Sequence, residues 1–106
     1  GRRARRRYVF FFNVTPTTES ALVEAVLFLE VDPVDLRSLQ RITGLSRDVV
    51  LAALSQIRDT YANDYHGLHL IELAEGYSLS PKPALAETLK ERYGKKNEGR
   101  LSRAAM

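Results

Sequence analysis

One segment, residues 19–61, constrains the fold of this chain most strongly, because its apolar residues repeat at helical spacing between residues that start and end helices. The first part of this segment predicts a helix that ends near Leu29. The stripe predicted to face a core consists of Leu22, Ala25, Val26 and Leu29. Three further apolar residues lie outside that stripe: Val23, Leu27 and Phe28. A helix that is apolar on more than one face usually has a second contact to make, within its own domain or with a partner.

The helices that follow are bounded by residues with well-defined capping roles. Asp32-Pro33 ends the first helix, and Asp35 is placed to cap a second one. Gly44 can end the second helix in a left-handed conformation, and Ser46 can cap a third. The predicted buried face of the third helix consists of Val49, Val50, Ala53, Leu54, Ile57 and Tyr61. Two helices joined by a short turn through glycine indicate a helix-turn-helix.

The residues after this motif predict a β-hairpin and a fourth helix. Residues 68–73 and 77–80 have strand character and are joined by a tight turn at residues 74–76. Val34, between the first two helices, is placed to add a short β-bridge. Residues 84–93 keep helical spacing of their apolar side chains. The predicted fold is therefore α+β: a winged helix with a three-helix core, a hairpin wing and a C-terminal helix.

Composition divides the chain into four predicted segments. Residues 1–16 form a basic and aromatic arm, and residues 17–93 form the winged-helix domain. Residues 94–100 form a polar linker that begins and nearly ends with glycine. Residues 101–106 resemble a helix cap and a helix start, and so few residues cannot form a stable helix alone. We therefore expect them to be the truncated start of a second winged-helix domain.

The chain carries no recognisable catalytic or metal-binding pattern. It has no cysteine, which excludes disulfides and thiolate metal sites. His66 and His69 are three residues apart in a loop and a strand, a spacing that does not point both side chains the same way. The longest apolar runs have five residues, far fewer than the roughly 20 of a transmembrane helix. We expect no enzyme activity, no cofactor and no metal site.

The distribution of charge bears on whether this winged helix binds DNA. The net charge is +3, yet residues 8–89 contain eleven acidic and only five basic residues. The exposed start of the predicted recognition helix pairs Arg47 with Asp48, and the wing carries Glu72 and Glu75. DNA affinity requires the neutralisation of several phosphates by basic side chains. This surface therefore favours a protein partner over direct DNA contact.

The N-terminal arm leaves the question of nucleic acid open. Its basic residues could contact phosphates or an acidic partner: Arg2, Arg3, Arg5, Arg6 and Arg7. The apolar residues 8–12 that follow have strong β-propensity, and we expect them to pair with a sheet edge of this chain or of a neighbour. A disordered arm without a partner is the alternative.

Six segments, taken in order, resemble the family of segregation and condensation protein B. They are Val23–Phe28, Pro33-Val34, Leu45-Ser46, Ala74–Tyr77, Lys82-Pro83 and Arg100–Ser102. The resemblance covers about residues 19–106. Glu75 stands where the family has the first glycine of its wing turn, a mild departure. The arm has no counterpart in the family pattern.

The resemblance implies a non-enzymatic subunit of the prokaryotic SMC–kleisin condensin, which acts in chromosome condensation and segregation. Such a protein has two tandem winged helices, of which the N-terminal one forms a homodimer, and it clasps the kleisin subunit, segregation and condensation protein A. It would be cytoplasmic and associated with the nucleoid, and would reach DNA only indirectly or weakly. We expect the dimer contact to lie in this chain and much of the kleisin contact to lie elsewhere.

Two surfaces are candidates for a protein interface. One is the second apolar face of the first helix, with Val23, Leu27 and Phe28; the other is an aromatic rim of Tyr61, Tyr65 and Tyr77. Packing within the monomer is the alternative for both. A DNA-binding transcription regulator, using Arg47 and the arm, is the competing class of function. A structural domain of some other assembly is a third.

Overall fold

The structure, a computed structural model, describes residues 16–93. The predictions for the arm before Pro16, for the linker and for a second domain lie outside the described residues. The elements, in chain order, are α1 (Pro16–Leu29), α2 (Leu36–Thr43), α3 (Arg47–Thr60), β1 (Leu68–Leu73), β2 (Gly76–Pro81) and α4 (Pro83–Tyr93). This order confirms the predicted α+β winged helix.

The caps of the helix-turn-helix are those that the sequence predicts. The Asp35 carboxylate accepts a hydrogen bond of 2.7 Å from the Ser38 backbone N–H at the start of α2. Hydrogen bonding from the backbone N–H of Ser38, and then from its side chain, holds the pKa of Asp35 below its ordinary value. Gly44 has φ of 75° and donates its N–H to the Gln40 carbonyl, and Ser46 accepts from the Val49 N–H at 3.3 Å. Short local signals therefore set the angle between α2 and α3.

The wing is an antiparallel hairpin joined to the rest of the fold by one β-bridge. Leu73 pairs with Gly76 across the turn, and Leu70 pairs with Leu79. Val34 and Tyr77 exchange two backbone hydrogen bonds of 2.8 and 2.9 Å, which confirms the bridge predicted at Val34. Gly76 has φ of 142°, and a Cβ there would overlap the backbone of Val34. The bridge therefore requires glycine at this turn.

The core lies between α1, α2, α3 and the wing. It is made of aliphatic side chains from these elements and of Val34 from the segment between α1 and α2: Val23, Val26, Leu27, Val34, Leu39, Val50, Ala53, Leu54, Ile57 and Leu70. Leu45 packs against it from the turn of the helix-turn-helix, as does Tyr77 from β2. Burial of this apolar surface is the main favourable contribution to folding.

The structure corrects the predicted orientation of α1. Val23 is 0% exposed and Leu27 is 2% exposed, so both belong to the core rather than to a second, outward face. Val26 is buried as predicted. Three members of the predicted core stripe point outward instead: Leu22, Ala25 and Leu29. The cause is that α1 is apolar on two opposite sides, so that helical spacing alone fits either side against the core.

Candidate protein interface

The outward side of α1 is an exposed apolar surface, here called the outer α1 face, made of Leu22, Ala25, Phe28 and Leu29. Its two largest members are mostly exposed, Phe28 at 71% and Leu29 at 74%. Helical geometry places all four within about one third of the helix circumference, opposite the buried residues Val23 and Leu27. Contiguous exposed apolar surface of this kind marks sites of interaction with other molecules.

Only one of the three predicted interface residues of α1 lies on this surface. Phe28 is exposed there, whereas Val23 and Leu27 could reach a partner only if the core opened. The other three members of the face, Leu22, Ala25 and Leu29, were predicted to lie in the core, and this prediction was wrong. The sequence does contain a signal for the exposed face: α1 has more apolar residues than a single buried stripe can hold.

The three tyrosines of the predicted aromatic rim occupy three different environments. Tyr61 is half-buried at the end of α3, donates its hydroxyl to the Glu24 carboxylate and packs its ring 4.9 Å from that of His66. That hydrogen bond to Glu24, with burial, raises the pKa of Tyr61. Tyr77 packs against the core and its hydroxyl lies 3.5 Å from Glu72. Tyr65 alone is almost wholly exposed, so two of the three side chains serve packing within the monomer.

The outward side of α3 carries balanced charge. Arg47 and Arg58 are exposed on it together with Asp48 and Asp59. On the wing, Glu72 and Glu75 are exposed as well. Within residues 16–93, the helix and hairpin with which winged helices approach DNA therefore present no net positive surface. The candidate arm residues Arg2, Arg3, Arg5, Arg6 and Arg7 lie outside the described residues.

A shallow groove of about 430 Å³ lies where the end of α3 meets the wing and the start of α4. Its lining residues are Arg58, Tyr61, Ala62, His69, Leu70, Lys82, Pro83 and Ala84. His69 Nε2 is buried there and has no hydrogen-bond partner among residues 16–93. Burial, and then the charge of Lys82, lower the pKa of His69. The Lys82 ammonium donates to the Asn63 carbonyl, which fixes it beside the groove.

Between Pro16 and Tyr93, no three His, Cys, Asp or Glu side chains are grouped closely enough to hold a metal ion. No helix in that part is sufficiently long and apolar to cross a bilayer.

A helix-turn-helix and a hairpin wing bridged to it through Val34 together define a winged-helix domain, and the outward side of its α1 is apolar. The family model described as "Segregation and condensation complex subunit ScpB" matches residues 21–106. The chain belongs to this family, as the resemblance in its sequence implies.

Known members of the family match most of this chain. Segregation and condensation protein B of Halalkalibacterium halodurans is 38% identical over 87 residues, which is 81% of this chain and 44% of that protein. The protein of the same name from Syntrophotalea carbinolica is 35% identical over 86 residues, which is 81% of this chain and 43% of that protein. The chain therefore spans less than half the length of these relatives.

Solved structures share the fold. The crystal structure of ScpB from Mycobacterium tuberculosis is similar with a TM-score of 0.70 at 20% identity, over 76% of this chain and 51% of that one. A second crystal structure, a dimer of the ScpB N-terminal domain complexed with a ScpA peptide, has a TM-score of 0.65 at 25% identity. That match covers 74% of this chain and 88% of the other.

Proposed function

We propose that this protein is a non-enzymatic subunit of an SMC–kleisin condensin, which forms homodimers and binds the kleisin subunit in chromosome condensation and segregation. The observation that carries the proposal is the family match over residues 21–106. The subunit works in the cytoplasm, associated with the nucleoid, and reaches SMC and DNA through the kleisin. Its chemistry is recognition: it holds a partner segment and requires no cofactor.

Homodimer formation and kleisin binding are supported by the same structural neighbour. That neighbour is a dimer of an N-terminal domain in complex with a ScpA peptide, and most of its length is similar to this chain. We therefore infer that part of the kleisin contact lies in the present domain. This is more than the sequence alone leads us to expect, because the family's second winged helix is expected to carry much of that contact.

The surface charge supports a protein partner for this domain. An acidic residue follows each basic one on the outward side of α3, as Arg47-Asp48 and Arg58-Asp59, so the helix that reads DNA in other winged-helix proteins generates little attraction for phosphates. Extended apolar and charge-balanced surfaces are instead suited to contact with a folded protein or a peptide.

The experiment that tests this function measures binding of the 106-residue chain to overlapping peptides of the kleisin encoded in the same genome. Fluorescence anisotropy of labelled peptides should identify one or two neighbouring peptides that bind saturably, while scrambled versions of the same composition do not. If a folded protein binds none of the peptides and does not bind the intact kleisin either, kleisin binding by this domain is excluded.

A further inference from the structure

We propose that the outer α1 face binds a second copy of this chain, with the two α1 helices antiparallel across a two-fold axis near Ala25. This inference names the contact surface of the homodimer and so rests on the proposed function. Ala25 is central to the face, with Leu22 three residues before it and Phe28 three residues after it. In such a pair, Leu22 of each copy lies against Phe28 and Leu29 of the other.

The composition of the outer α1 face allows two copies of it to pack against each other. Between Ser20 and Leu29 the only charged residue is Glu24, and its carboxylate is turned towards α3, where it accepts the Tyr61 hydroxyl. Two acidic domains could therefore meet here without placing like charges in contact. The small side chain of Ala25 at the centre allows the helices to approach closely, and the larger residues at both ends fill the space around it.

Symmetry favours the same arrangement. Most soluble homo-oligomers are closed two-fold dimers, in which each copy contributes the same patch. A helix of 14 residues is about 21 Å long, so an antiparallel pair places its two large apolar ends over each other. Antiparallel packing also sets the N-terminal end of each helix dipole beside the C-terminal end of the other, which is the favourable orientation.

A second copy is the preferred occupant because the similar N-terminal domain described above forms a dimer. Residues 8–12 of the same chain and a kleisin segment are the other candidates for covering this face. The three occupants predict different results. If residues 8–12 cover the face, the chain is a monomer. If the kleisin covers it, substitutions on the face change only kleisin binding.

The test is the solution mass of the full 106-residue chain, measured by light scattering after size exclusion at several micromolar concentrations. The wild type should be a dimer. Leu29→Glu and Leu22→Lys should each be monomers, with a dimer dissociation constant weakened on the order of a hundredfold by the unpaired charge that each copy brings to the contact. Leu51→Glu is the matched control on the exposed side of α3, and it should remain a dimer. Circular dichroism verifies that each variant is folded.

Mixing the two monomeric variants tests the antiparallel arrangement itself. In the proposed dimer, Lys at position 22 of one copy meets Glu at position 29 of the other, while the second contact of the pair keeps its two leucines. The mixture should therefore regain dimer mass. A parallel pair would bring each position against itself and would not be rescued.

Three results would overturn this inference. They are a wild-type monomer, a folded Leu29→Glu variant that stays dimeric, and two monomeric variants that do not rescue each other. None of these decides kleisin binding, which the peptide titration measures separately. If a single variant does not fold, Phe28→Ser, which removes apolar surface without adding charge, replaces it with the same expected loss of dimer.

Discussion

Helices α1 and α3 are each 14 residues long and pack against each other across the core, yet they present different surfaces to solvent. The outward side of α3 is balanced in charge and mixes polar side chains with Leu51 and Ala52, whereas the outer α1 face is apolar throughout. In a winged helix that binds DNA, the outward side of α3 is the working surface. Here α1 carries the exposed apolar surface instead, which supports the proposal that this domain binds a protein.

The largest expected effect concerns the inward sides of the two helices. Truncation of a buried side chain should destabilise the fold to a similar extent on either side of the core. Leu27→Ala in α1 and Leu54→Ala in α3 each remove a fully buried side chain, and each should lower the free energy of unfolding by about 2–5 kcal/mol. Urea denaturation at one fixed protein concentration measures it. Ser55→Ala, on the exposed side of α3, is the control and should change it by less than about 0.5 kcal/mol. A small effect of Leu27→Ala alone would mean that α1 does not bury this side.

Sequence reasoning predicted the caps, turns and strands of this fold because each depends on a few neighbouring residues. Asp35, Gly44 and Ser46 can cap their helices in any orientation of α1, because their hydrogen-bond partners are local. The orientation of α1 could not be predicted in the same way, because both of its sides are apolar enough to be buried. The choice between them depends on contacts with α3, which lies more than 30 residues away along the chain.

Two polar contacts supply that choice of orientation. The buried Ser20 hydroxyl donates to the Gln56 side chain at 2.7 Å, and Glu24 accepts from Tyr61. Rotating α1 to bury its outer face would break both bonds and would leave these polar groups on the wrong side. The candidate interface could therefore be predicted only after the long-range partners of Ser20 and Glu24 were known.

The second prediction measures the contribution of the Ser20–Gln56 contact. Ser20→Ala should lower the free energy of unfolding by about 0.5–1.5 kcal/mol, the usual net value of one hydrogen bond. A double-mutant cycle with Gln56→Ala should give a coupling energy of about 1 kcal/mol. Ser55→Ala, on the exposed side of α3, is the matched control and should have little effect. A coupling near zero would mean that this bond does not help to orient α1.

A smaller effect is expected at the groove below the end of α3. The folded pKa of His69 is lowered from the 6.5 of the unfolded chain, mainly by burial and then by Lys82. Below about pH 6.5 the unfolded chain therefore binds a proton that the folded chain resists, and the free energy of unfolding falls as the pH falls. His69→Gln should flatten this part of the pH dependence between pH 7 and 5, measured by urea denaturation at each pH.

The matched control for that measurement is His66→Gln, which removes a histidine from the adjacent loop and keeps His69 in place. This variant should retain the slope that His69 contributes. An unchanged slope in His69→Gln would mean that burial of its ring does not oppose protonation.

The smallest expected effect concerns the outward side of α3 and distinguishes protein contact from DNA contact. Arg47→Ala should change the affinity for duplex DNA by less than about twofold, because Asp48 beside it already cancels most of its field. Replacement of the five arginines of residues 1–7 by serine should instead weaken any binding that is seen, and should reduce its dependence on salt. Fluorescence anisotropy with labelled duplex DNA measures the affinity and its salt dependence. Salt concentrations of about 50 and 200 mM are suitable, because phosphate contacts weaken strongly over this range. If Arg47→Ala alone weakened binding tenfold or more, α3 would be a DNA-reading helix, and the contrast between the outward sides of α1 and α3 would lose its functional meaning.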